Sequence, residues 1–177
     1  MKVYKTKIKD LLIVRQKNNI DNRGSLRETF NKKYLKKQFI FEYCTTSKKN
    51  VMRGFHFQHK YQQAKYVNVL KGKILDIVVD LRKNSKTFGR TFKIILSQKN
   101  ALGLYIPAGF GHSYYSFENK NIIYYKLDNY YKPKFESGIV YDDADLKVKW
   151  PRKKMIISKK DRNLMTFKSF CKIYKGL

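Results

Sequence analysis

Between Lys65 and Leu96 the chain breaks into short runs of β-branched, aromatic and aliphatic residues separated by turn signals, and this rhythm constrains the fold more than any other feature. Tyr66 to Leu70 is followed by Lys71-Gly72-Lys73, Ile74 to Leu81 by Lys83 to Lys86, and then comes Thr91 to Leu96. These read as successive antiparallel strands. Further runs at Gly103 to Ile106, Ser113 to Phe117 and Ile122 to Leu127 are each bounded by glycine, proline or asparagine, the spacing of a sandwich or barrel. Helical periodicity shows only near Lys32 to Gln38 and after Asn163, where Leu164, Phe167, Phe170 and Ile173 can share a face. The expected class is all-β with a few short helices.

A chain of 177 residues, 42% hydrophobic and 15% aromatic, can bury a core, and its aromatic content is the opposite of a disordered composition. No flexible linker, repeat or low-complexity block divides it, so residues 1–177 are expected to form one domain. Leu11 to Val14 and Ile74 to Val79, the second interrupted by Asp76, are far short of the ~20 apolar residues of a membrane helix. Lysines precede Leu11 to Val14, but no small-residue cleavage site follows. The expectation is a cytoplasmic protein with no membrane partner, its two cysteines, Cys44 and Cys171, held as reduced thiols.

The net charge of +27 suggests a polyanion partner at first sight. The lysines, however, are spread over nearly every segment and outnumber the arginines, whereas base readers and phosphate clamps favour clustered arginine. That distribution argues against nucleic acid as the partner.

Only three histidines are present, His56, His59 and His112. In Val51-Met52-Arg53-Gly54-Phe55-His56-Phe57-Gln58, strand alternation puts Arg53 on the face opposite His56 and Gln58, unless Gly54 bends the strand. An arginine beside a histidine suits an anionic ligand near a base, and a core histidine beside a surface arginine fits the segment equally. His112 ends Tyr105-Ile106-Pro107-Ala108-Gly109-Phe110-Gly111-His112, a turn that delivers it to the start of a strand. Its Pro-x-x-x-x-His spacing resembles the second signature of the cupin barrels, and His56-x-Gln58 stands where their first signature pairs two metal histidines. With glutamine there and His59 on the other strand face, no metal is expected. Lys65, Tyr125, Asp161 and the tyrosine-rich Tyr124 to Tyr131 are further candidates, although such residues are ordinarily packing or surface groups.

Taken in order, the segments resemble the dTDP-4-dehydrorhamnose 3,5-epimerase family. The resemblance runs through Asp21-Asn22-Arg23-Gly24, Asn50 to Gln58, Gln63-Ala64-Lys65, Asp76 to Arg82, Thr87-Phe88-Gly89 and Tyr105 to His112. It continues through Tyr124-Tyr125-Lys126, Asn129-Tyr130-Tyr131, Asp142-Asp143, Trp150-Pro151 and Ile157 to Asp161. It implies a cupin-type antiparallel β-barrel, or jelly roll, that inverts carbons beside a ketone in a nucleotide-linked 4-keto-6-deoxy sugar, at C3 or at both C3 and C5, for surface polysaccharides such as capsule or lipopolysaccharide.

By the same resemblance His56 is the base, Asp161 the carboxylate that orients it, Tyr125 the acid on the opposite side, and Lys65 the cation near the keto oxygen. Arg23 and Arg53 would bind the diphosphate, for which a bidentate guanidinium suits better than an ammonium. Glu28, Gln58, His112, Glu136 and Lys160 would contact the ligand, and Tyr131 or Tyr130 would stack on the nucleobase. The segment around Arg23 lies near the partner subunit in the family, so a homodimer is implied, and the chemistry needs no cofactor. One departure stands out: Phe41-Glu42-Tyr43 replaces the family's usual Gln-Asp-Asn, which leaves open action at C3 alone, or on a GDP-linked or longer-chain sugar. Two other readings of the same pocket are a nucleotide-sugar 3,4-ketoisomerase and a non-catalytic basic barrel that binds polyanions.

Overall fold

The computed structural model describes residues 1–152 and 154–177. The strands are β1 (Lys2–Lys5), β2 (Leu12–Arg15), β3 (Lys17–Asp21), β4 (Gly24–Glu28), β5 (Phe41–Ser47), β6 (Met52–Gln58), β7 (Lys65–Lys71) and β8 (Lys73–Asp80). They continue with β9 (Thr91–Ser97), β10 (Leu102–Ile106), β11 (Phe110–Ser116), β12 (Asn121–Leu127) and β13 (Glu136–Gly138), and helices α1 (Lys159–Arg162) and α2 (Phe167–Tyr174) close the chain. One sheet has the order β1-β2-β10-β7-β12-β5, a second the order β13-β6-β11-β8-β9, and β3-β4 is a separate ribbon. The two large sheets face each other as an open jelly roll and do not join into one hydrogen-bonded ring. Among the described residues no helix is long and apolar enough to cross a membrane.

Two apolar layers hold this arrangement. Val67, Val69, Leu104 and Ile123 of the first sheet meet Ile74, Val78, Leu96 and Phe110 of the second. On the outer face of the second sheet, Phe55, Phe57, Ile77 and Val79 pack beneath Phe170 of α2. Both faces of β8 are therefore buried, which is why Ile74 to Val79 reads as an almost unbroken apolar run.

The expected strands are present, but their succession is not that of a simple meander. Tyr66 to Leu70 and Ile74 to Leu81 lie in different sheets: β7 pairs with β10 and β12, β8 with β9 and β11. Gly72 makes the crossing at φ 86°, where the Lys73 amide donates to Asn121 Oδ1 at 3.0 Å and a Cβ on Gly72 would stand 2.5 Å from that oxygen.

Lys32 to Gln38 is a turn and not the expected helix. Asn31 Oδ1 accepts from the Lys33 amide at 2.9 Å in an Asx-type turn, and Leu35 is drawn into a pocket with Tyr66 and Tyr105. The tail helix forms, capped by Thr166, but its buried face is Phe167, Phe170, Cys171 and Tyr174, whereas Ile173 is exposed. Cys44 is exposed, and both cysteines are free.

The β8–β9 connection carries an ion-pair cluster that supports the second sheet. Asp80, fully buried, accepts from Arg82 Nε at 2.9 Å, Ser85 Oγ at 2.6 Å and Thr87 Oγ1 at 2.6 Å. Burial by itself raises this carboxyl, and the donors outweigh it, so the pKa lies below the ordinary 3.8. A depressed folded pKa means stability that is present above the unfolded value and lost as pH falls through the folded one. Asp80→Asn is therefore expected to cost about 1–3 kcal/mol at neutral pH. Urea unfolding across a pH series should show that deficit intact down to pH 3.8 and shrinking below it.

Candidate active site

A cavity of about 490 Å³ opens between the sheets, lined by Phe41, Tyr43 and Thr45 of β5, Arg53 and His56 of β6, Lys65 of β7, His112 and Tyr114 of β11, and Tyr125 of β12. Gln63, Tyr131 and Ser158 of the connecting segments, Glu136 of β13, and Lys160 and Asp161 of α1 complete its wall. Arg53 and His56 share this cavity, against the expectation from alternation. In the pairing of β6 with β11, His112 opposes His56 and Tyr114 opposes Arg53, so one extra β6 residue is accommodated there. Gly54 takes up the bulge at φ 113°, with no room for a Cβ, which would stand 2.8 Å from Ser113 Cα.

His56 is held by Asp161. The ring Nε2 lies 2.8 Å from Asp161 Oδ1, while the Gly54 amide donates to Oδ2 at 3.2 Å. Because an ionised carboxylate only accepts, the ring hydrogen sits on Nε2 and the Nδ1 lone pair is left to take a proton. Asp161 reaches this place because Ser158 caps α1, its hydroxyl accepting from the Asp161 amide at 3.0 Å. Burial pushes the Asp161 carboxyl up, and its hydrogen bonds with His56 and Gly54 pull it below the usual carboxylate range.

Across the cavity Tyr125 is 3% exposed, and burial pushes its phenol well above its ordinary pKa. Its ring stacks on Tyr43, centroids 4.8 Å apart, and meets His112 edge-on at 6.0 Å. His112 Nε2 in turn bonds to the wholly buried Asp76 Oδ2 at 2.9 Å. Burial draws the Lys65 ammonium down to about 8, opposed by the negative charges of Glu136 and Asp76. At the mouth, Tyr131 donates to Glu136 Oε2 at 2.6 Å, and Lys160 pairs with the same oxygen. The Tyr131 phenol is pushed up to about 12, chiefly by that carboxylate.

His56, Asp161, Tyr125, Lys65, Arg53, His112, Tyr131, Glu136 and Lys160 are thus brought together, and four expected residues are not. Gln58 faces away: its Nε2 donates to the Tyr61 carbonyl at 2.7 Å and its Oε1 accepts from the Lys132 amide at 2.6 Å, so it shapes the loop before β13. Tyr130 is 57% exposed outside the wall, which leaves Tyr131 as the ring at the mouth. Arg23 and Glu28 belong to the β3–β4 ribbon, away from the cavity of their own chain; Arg23 pairs with Asp21 at 2.7 Å, and Glu28 Oε1 is buried without a hydrogen-bond partner among the described residues. Thr45, Tyr114 and Ser158 went unremarked in the sequence. The alternation of β5, with Phe41, Tyr43 and Thr45 inward and Glu42, Cys44 and Thr46 outward, was a signal for the first of them.

This cavity sets a histidine–aspartate pair against a phenol on the facing sheet. A family model described as dTDP-4-dehydrorhamnose 3,5-epimerase matches residues 5–169. The chain belongs to the dTDP-4-dehydrorhamnose 3,5-epimerase family. It is 38% identical over 167 residues to the dTDP-4-dehydrorhamnose 3,5-epimerase of Methanothermobacter thermautotrophicus, covering 90% of each chain. The solved dTDP-4-dehydrorhamnose 3,5-epimerase of Bacillus anthracis with TDP and PPi bound superposes with a TM-score of 0.90 at 35% identity, over 93% of this chain and 98% of that one. The dTDP-6-deoxy-D-glucose-3,5-epimerase of Legionella pneumophila, in complex with dTDP-4-keto-L-rhamnose, superposes with a TM-score of 0.89 at 34% identity, over 93% and 91%. Membership of this epimerase family makes the protein an enzyme of the isomerase class, built on the cupin jelly roll.

Proposed function

We propose that residues 1–177 work as one domain that epimerises a dTDP-linked 4-keto-6-deoxy sugar, at C3 or at both C3 and C5. The observation that carries this is the placement of base and acid: His56 with Asp161 on the second sheet and Tyr125 on the first face one cavity from opposite walls. A sugar ring between them loses a proton to His56 Nδ1 on one face and gains one from Tyr125 on the other, which inverts the carbon. The neighbouring ketone acidifies the C–H bond, so the proton transfers need no cofactor. Lys65 offsets the negative charge that develops on the keto oxygen, and Arg53 and Lys160 meet the diphosphate at the mouth, with Tyr131 beside the base.

The β3–β4 ribbon supports a homodimer as part of the same reading. It exposes Ile20 at 76% and Leu26 at 69%, and its Arg23 and Glu28 lie outside their own cavity, as residues lent to a partner's cavity would. A cytoplasmic location is proposed with it.

Incubation with dTDP-4-keto-6-deoxyglucose in deuterated water tests the reaction. Deuterium is expected at C3, with label at C5 marking the double inversion; a folded sample that labels neither carbon overturns the reading. The pH profile tests Lys65. With its pKa at about 8, the ammonium is lost as pH rises through that value, and kcat should fall there; Lys65→Arg, whose guanidinium stays charged, should move the fall upward.

A further inference from the structure

Burial keeps the proton on Tyr125 until it is needed, and it also makes the phenolate left behind expensive. Neither His56 nor Asp161 relieves this, since both stand on the opposite wall. The cavity wall beside Tyr125 holds groups that do. Tyr125 pairs with Tyr43 across β12 and β5, and Ile123 with Thr45, so Thr45 is the diagonal neighbour of Tyr125 on the cavity face. Thr45 Oγ1 lies 3.2 Å from the Tyr114 phenol oxygen, and that oxygen lies 2.8 Å from Ser47 Oγ. Arg53 Nε donates to Ser47 Oγ at 3.4 Å. Ser47 and Tyr114 are 3% and 2% exposed, which shuts the middle of this series off from solvent.

A guanidinium can only donate, so Ser47 Oγ accepts from Arg53, while in the Ser47–Tyr114 and Tyr114–Thr45 contacts either hydroxyl can be the donor. With the Ser47 hydrogen turned to Tyr114 and the Tyr114 hydrogen turned to Thr45, the Thr45 hydrogen is free for the neighbouring Tyr125 phenol. We propose that Ser47, Tyr114 and Thr45 form a one-way hydroxyl chain, anchored on Arg53, that stabilises the Tyr125 phenolate formed when this residue protonates the substrate carbanion. The inference rests on the reading of Tyr125 as the acid. In the step itself the Tyr125 O–H bond breaks, a C–H bond forms with the carbanion's electron pair, and the Thr45 hydrogen bond tightens on the phenolate. Burial, and after it the neighbouring Tyr114, Tyr43 and Asp76, raise the Tyr125 phenol, and a hydrogen bond with Thr45 acts in the opposite sense. Ser47, Tyr114 and Thr45 are positioning residues, because they act through Tyr125.

Tyr114→Phe keeps the ring and removes the middle link. In deuterated water two rates are followed at the epimerised carbon, exchange of its hydrogen and inversion. Inversion is expected to fall roughly tenfold to a hundredfold, with exchange and KM within about twofold of wild type, so that exchange per inversion rises by the same factor. Thr45→Val should reproduce this, and Thr45→Ser should restore the wild-type ratio. Should both Tyr114→Phe and Thr45→Val keep the wild-type ratio, the chain is overturned, even if overall activity drops through altered packing. Failure of the underlying reading looks different: Tyr125→Phe would then lose exchange and inversion equally, or lose neither.

Discussion

Replacing His56 with asparagine is expected to lower turnover by roughly 10³-fold, the range of a general base removed from its reaction. The amide can still donate toward Asp161, so the buried carboxylate, 3% exposed and bonded to His56 at 2.8 Å, keeps a partner and the fold is preserved. What disappears is the Nδ1 lone pair. Loss of both deuterium uptake and inversion, with an unchanged melting temperature, is the expected outcome, and a variant that retains more than about a tenth of wild-type uptake would remove His56 from the base's role.

Tyr125→Phe should separate the two halves of the reaction. The ring is buried and stacked on Tyr43 at 4.8 Å, so phenylalanine keeps the packing and deletes only the hydroxyl. Inversion is expected to fall by about 10²–10³-fold, while hydrogen exchange with retention continues because His56 can return a proton to the face from which it took one. Product analysis by NMR in deuterated water reads both. Equal loss of exchange and inversion would place Tyr125 in binding and leave the acid to another group.

These two variants also bear on the Phe41-Glu42-Tyr43 departure. Tyr43 presses on Tyr125 and Phe41 on Tyr43, at centroid distances of 4.8 and 5.6 Å, so the departure lies against Tyr125, the proposed acid. Glu42, between them, points outward to Tyr124 and Lys126. The position of deuterium in the product reads directly whether one carbon or two is inverted beside this wall.

Much of the candidate site was legible through the family resemblance, which picks out residues by type and order. His56 after Arg53-Gly54, Tyr125 before Lys126, and Asp161 after Ser158-Lys159-Lys160 match segments of the family, and the fold brings all three to one cavity. Gln58 could not be assigned from its segment. Strand alternation puts it on the face of His56, but its amide satisfies the backbone of Tyr61 and Lys132, a demand set by a loop far along the chain. Arg53 was misplaced for a related reason: the bulge at Gly54 exists only in the pairing of β6 with β11.

The sequence by itself determined the strand-forming runs, the residue types of the site and the all-β class, because propensity and alternation act between near neighbours and are written in each segment. Tertiary structure alone decided that β7 and β8 part into different sheets, that Arg53 turns toward His56, and that Asp161 meets a histidine 105 residues away. It also decided that Lys32 to Gln38 gives up its helical periodicity to bury Leu35 against Tyr66. In each of these cases the decisive energy is burial or hydrogen bonding between segments distant in sequence, and a local pattern carries no record of which distant segment will supply it.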